Sequence, residues 1–130
     1  MLTKVDWYDV EKTIVIQVYE GKLEGNDLLK SSELTYDLYN SVKREIYIIG
    51  DFRQLKGIPS SILPAMKAIE QKNYANKSVS FIIAASTYIG GLGNIVKTLM
   101  PHVMEDMYFV PTIEVALQTI AEMKAKTDSI

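Results

Sequence analysis

The sequence predicts an α/β fold: a mostly parallel five-stranded sheet with one antiparallel N-terminal strand and helices on both faces. Three observations carry this. Residues 46–49 and 81–85 are unbroken apolar runs, the mark of strands covered on both sides. Between and after such runs, apolar residues recur at helical spacing. The first two strand-like segments are instead joined by a short polar connection, the pattern of a hairpin. At 130 residues, with 48% hydrophobic and 23% charged residues, the chain has the size and composition of one globular domain, residues 1–130.

Each element follows from its local pattern. Residues 4–8 and 13–19 flank Asp9, Val10, Glu11 and Lys12. Ile14, Ile16 and Val18 alternate onto one face, so the two segments read as an antiparallel hairpin. Gly21 and Gly25 bracket the next turn. Asn26 or Gly25 then caps a helix over residues 26–42, with Asp27 in the first turn, where the helix dipole favours an anion. Its stripe is thinly apolar: Leu28, Ser31, Thr35, Leu38 and Val42. Residues 45–51 form a buried strand, followed by a loop over 52–59.

Ser60 or Ser61 opens a second helix running to Tyr74, with Pro64 tolerated in the first turn and Leu63, Met66, Ile69 and Tyr74 facing inward. Residues 78–86 form another buried strand. Ile89, Leu92, Ile95, Val96 and Leu99 mark a third helix that stops near Pro101. Met107–Val110 is a short strand. Thr112 caps a last helix from Ile113 to about Lys126, with Ile113, Ala116, Leu117, Ile120 and Met123 inward. The order β-β-α-β-α-β-α-β-α implies parallel strands joined by helical crossovers.

Bulk properties exclude several functions. With no cysteine, disulfides, thiolate metal sites and thiol nucleophiles are ruled out. A formal net charge of -2 gives no basic surplus for nucleic acid. No apolar run approaches the roughly 18 residues of a membrane span. The N-terminal residues lack the apolar centre of a signal peptide, so a cytoplasmic location is expected.

The order of elements, the Trp7-containing first strand, the Asp51 strand end and the Thr112-led closing helix resemble the STAS-like domain family. The nearest likeness is to small stand-alone bacterial members, and more distantly to anti-sigma factor antagonists. The resemblance spans residues 5 to 123 or so. It implies a non-catalytic interaction or regulatory module. In the antagonists an Asp-Ser pair opens the helix after the central strand, and the serine is a phosphorylation switch. Here the matching residues are Ile58, Pro59, Ser60 and Ser61. Pro59 stands in the aspartate's place, and Ile62 replaces the small glycine that follows.

The candidate site residues each have a structural and a functional reading. Ser60 and Ser61, at a helix start, are natural caps for unpaired backbone N–H groups. As phosphoacceptors they would place about -1.5 to -2 charge beside those same groups. Asp51 and Arg53 sit where open α/β sheets form their ligand crevice, though they also suit a simple mutual pair. Gly90, Gly91, Gly93 and Asn94 follow a strand and precede a helix, the setting of a phosphate loop. Val96 breaks the dinucleotide pattern, and Lys97-Thr98 lacks its preceding glycine. His102, Glu105 and Asp106 fall short of a metal set, because His102 is the only histidine. No nucleophile–base pair stands out, and neither a cofactor nor a metal is expected.

Two functional readings follow. The first is protein binding centred on residues 52–59, Ser60, Ser61 and the Gly90 turn, with a second copy of the chain as a further candidate partner. The alternative is a carrier or sensor of a small apolar ligand or lipid, held near Met66, Leu92, Val96 and Met100. The run Met100, Val103, Met104 and Met107 offers adaptable apolar packing for either.

Overall fold

A computed structural model describes residues 1–57, 62–72, 79–84, 94 and 106–128 of the chain. The opening hairpin joins β1 (Leu2–Trp7) to β2 (Ile14–Lys22) in antiparallel register, with Trp7 opposite Val15. Asp9 organises the connection. Its Oδ1 accepts the N–H groups of Thr13 and Ile14, each at 2.9 Å, and its Oδ2 accepts the Thr13 hydroxyl. Burial pushes the Asp9 carboxyl up, but these bonds and the Lys124 ammonium 3.9 Å away outweigh it and hold the group below its ordinary value.

Four parallel strands follow from β2. They are β2, β3 (Tyr47–Gly57), β4 (Val79–Ile83) and β5 (Met107–Val110), and the sheet order is β1-β2-β3-β4-β5. The helices are α1 (Gly25–Val42) between β2 and β3, α2 (Leu63–Lys72) between β3 and β4, and α3 (Ile113–Asp128) after β5. Consecutive parallel neighbours joined by right-handed crossovers carry their helices on one face. Accordingly α1 and α2 share a face, where Tyr19, Leu23, Phe52, Ile62, Met66 and Ile82 pack together. Helix α3 covers the other, over Ile14, Ile16, Tyr47, Ile49, Phe81 and Ile83. The inward stripe read for α3 is confirmed in full, since Ile113, Ala116, Leu117, Ile120 and Met123 all join this second cluster. Phe81, Ile49 and Ile83 are fully buried, each contributing roughly 1.5–3 kcal/mol of apolar transfer.

The thin stripe of α1 has a physical explanation. Ser31 and Thr35 are buried because β2 presents polar partners to them. The Tyr19 hydroxyl donates to Ser31 Oγ at 2.5 Å, and Gln17 Nε2 donates to Thr35 Oγ1 at 2.9 Å. Burial raises the Tyr19 phenol well above its ordinary value, so it remains a donor. Sequence periodicity marks the helix correctly, while hydrogen bonds from Tyr19 and Gln17 replace the apolar contact usual on such a face.

Several boundaries differ from the sequence reading. The central strand does not stop at Asp51; it continues to Gly57, so most of the expected 52–59 loop is β-structure. The reason is the length of β2, whose Glu20, Gly21 and Lys22 supply partners for Gln54, Leu55 and Gly57. Two bulges accommodate the extra residues of β3. The first bulge, between Asp51 and Gln54, contains Phe52, so that Phe52 and Leu55, three apart, both face α1 and α2, which hides the strand from a search for alternation. Gly21 lies within β2 at φ +64 rather than in a turn, a conformation costly for residues with a Cβ.

Helix α1 is capped by Glu24, not by Asn26 or Gly25. Asp27 accepts the Glu24 N–H at 2.9 Å and the Leu2 N–H at 3.1 Å, tying β1 to the helix start. Strand β4 ends at Ile83, and α3 runs two residues past Lys126. The third expected helix around Ile89–Leu99, and Tyr74 at the expected end of α2, lie outside the described residues, apart from Asn94.

Candidate interaction site

Asp51 is the last β3 residue with strand neighbours on both sides, Val18 of β2 and Ile83 of β4. Beyond it, among the described residues, β3 pairs with β2 alone. Asp51 is buried, and Arg53 closes over it. Arg53 Nε donates to Oδ1 at 2.9 Å, Nη2 donates to Oδ2 at 2.8 Å, and the Arg53 backbone N–H donates to Oδ1 at 3.1 Å. Burial pushes the Asp51 carboxyl up, but the guanidinium and backbone bonds hold it below the ordinary carboxylate value. Asp51 raises Arg53 in turn, and Glu114 in the first turn of α3 adds to the effect. A carboxylate gripped this way has little proton affinity at neutral pH and suits positioning better than acid–base work. Arg53 stays half-exposed, and among the described residues Asp51 alone accepts from its guanidinium.

This pair lies toward the face that α3 covers, whereas α2 packs on the opposite face. The sheet therefore lies between the Asp51–Arg53 pair and the face on which α2 packs. Ser60, Ser61 and the intervening residues 58 and 59 lie outside the described residues.

On the α2 side an open groove of about 460 Å³ runs between the starts of α1 and α2. Its α2 wall is Pro64, Ala65 and Ala68, and its α1 wall is Gly25, Asn26 and Leu29, with Lys22 and Glu24 at the rim. Small side chains on α2 leave the room that forms the groove. None of these positions was singled out from sequence as a site. The available signal was Pro64, Ala65 and Ala68 themselves, since alanine at i and i+3 on a helix leaves one face low.

Among the remaining candidates, Asn94 is exposed, and Gly90, Gly91 and Gly93 lie outside the described residues. Asp106 is an exposed turn residue, while His102 and Glu105 lie outside the described residues. Met66 is a core residue between the sheet and its two helices. Leu92, Val96, Met100, Val103 and Met104, which the apolar-ligand reading and the methionine run invoke, lie outside the described residues. Met107 packs against the first core cluster. Tyr108 stacks on Phe81 at 5.4 Å with one side exposed. Among the described residues, no helix is long and apolar enough to cross a membrane.

No protein-family model matches the chain, and no curated protein does. Solved structures do. One is an uncharacterised protein of the DUF3478 family with a SpoIIAA-like fold from Shewanella loihica PV-4. It is 14% identical, has a TM-score of 0.62, and the match covers 91% of this chain and 90% of that one. The agreement extends over nearly all of both chains and rests on the same arrangement of sheet and helices. The chain thus has a SpoIIAA-like, STAS-like α/β fold, with one antiparallel strand pair and the other pairs parallel.

Proposed function

We propose that the protein is a non-catalytic interaction module whose partner docks at the open groove between the starts of α1 and α2. The observation that carries this reading is the groove itself. It is lined by Pro64, Ala65, Ala68 and Leu29 and rimmed by Lys22 and Glu24. An apolar floor with a charged rim is the composition of a protein-binding surface. The groove adjoins the start of α2, so Ser60 and Ser61 are close to it in sequence. A phosphate on either serine would add negative charge just ahead of α2 in the chain, which would alter the fit of a docked partner. The binding surface is in this reading regulatory in kind, and the locked Asp51–Arg53 pair, across the sheet from the groove, takes no part in it.

The test is quantitative capture from lysate of the native host, comparing wild type with Ala68→Arg, which fills the groove, and Ser60→Glu, which mimics charge at the helix start. Far-UV circular dichroism first establishes that each variant is folded. Loss of the same partner set in Ala68→Arg supports the groove, and a shift in Ser60→Glu supports a switch. Identical partner sets in all three proteins contradict both.

A further inference from the structure

We infer that β1 pairs edge to edge, antiparallel, with β1 of a second copy of the chain, joining two sheets into one. Strand β1 stands at the end of the sheet order, and among the described residues no strand pairs with its outer edge. In an antiparallel ladder, alternate residues direct both backbone groups at the partner strand. The Tyr8 N–H donates to the Ile14 carbonyl at 2.7 Å, and Lys4 and Asp6 share its parity in the register. Val5 and Trp7 therefore turn their N–H and C=O groups outward, to the open edge. The Trp7 N–H bears this out: among the described residues it donates to its neighbour's carboxylate, Asp6 Oδ1 at 2.7 Å, and to no carbonyl of β2.

The side chains of this edge complement themselves. A two-fold axis through Val5 sets Val5 against Val5 of the second copy, as a hydrogen-bonded pair of outward-facing residues. It sets Lys4 against Asp6 of the second copy, and by symmetry Asp6 against Lys4. Both charged residues are exposed and lie on the face that α3 covers, opposite Val18 and Ile16 of β2. On the other face Val5 and Trp7 are only half-buried, so pairing covers apolar area left open in the single chain. Charges on an edge strand ordinarily discourage pairing. Here opposite signs two residues apart convert that protection into a preference for one register. This pairing is independent of the groove and of any partner docked there.

Sedimentation velocity over a concentration series tests it, with three variants. Wild type is expected to dimerise reversibly. Lys4→Asp places like charges opposite each other at both symmetric pairs and should weaken the dimer about 30-fold. Adding Asp6→Lys to that variant restores both pairs in the opposite sense and should restore the dimer. Val5→Pro removes only an outward-facing donor, which edge strands tolerate, and should leave a folded monomer. The inference is overturned if wild type remains monomeric at about 1 mM, the weakest range of specific association. It is equally overturned if Lys4→Asp or Val5→Pro leaves the dimer unchanged, or if the double variant stays as weak as Lys4→Asp.

Discussion

Replacing Arg53 with methionine isolates what the guanidinium does for Asp51. Methionine keeps much of the stem and the backbone N–H that donates to Oδ1 at 3.1 Å, but removes the bonds at 2.9 and 2.8 Å. Breaking a fully buried pair costs about 3–5 kcal/mol, and breaking an exposed one about 0–1 kcal/mol. The Asp51 side chain is 9% exposed and that of Arg53 47%, so the cost falls between, about 2 kcal/mol at pH 7 after solvent screening of the arginine. Urea unfolding of both proteins from pH 7 down to pH 3 measures it.

The sign of the pH dependence follows from the depressed Asp51 value in the folded protein. The stabilisation is complete above the ordinary carboxylate pKa and is lost as pH falls through the folded value. In the variant, burial without the guanidinium raises Asp51, so mild acid favours its folded state. Both changes narrow the difference between the proteins as pH falls. A difference under about 0.3 kcal/mol at pH 7, or one that stays constant into acid, would refute the reasoning.

Three further outcomes are expected. Tyr19→Phe removes the buried hydroxyl that donates to Ser31 and should cost about 1 kcal/mol in chemical denaturation; Ser31 keeps its own bond to the Leu28 carbonyl at 3.0 Å, which limits the loss. Gly21→Ala meets open space but φ +64, so about 1 kcal/mol of backbone strain alone should appear as a lower Tm. Asp27→Ala leaves the N–H groups of Glu24 and Leu2 without their acceptor; about 1–2 kcal/mol is expected, with faster hydrogen exchange at those two amides.

The fold was readable because burial leaves strong marks in sequence. The doubly covered β3 and β4 centres appear as apolar runs, and the α3 stripe follows helical spacing from Ile113 to Met123. What escaped notice was local backbone irregularity. The bulge that sets Phe52 and Leu55 three apart on one face breaks the alternation that would have extended β3. Glu24 was missed as a cap because its role depends on reciprocal bonding with Asp27, whereas Asn26 and Gly25 have stronger cap preferences by residue type. For the site, the Asp51–Arg53 pairing was foreseeable from proximity in sequence. Its separation from α2 was not, because that follows from which face each crossover helix covers. The groove depends on small residues, and an alanine that leaves room reads in sequence the same as one that packs.

The most direct measurement of the proposed docking surface is site-specific photo-crosslinking in the native host. A benzophenone side chain placed at Ala68 sits on the groove wall, and one placed at Glu122 sits on an exposed position of α3, across the sheet. The groove reading predicts a discrete higher-mass adduct from position 68 and none from position 122. Adducts from position 122 with none from position 68 would contradict it.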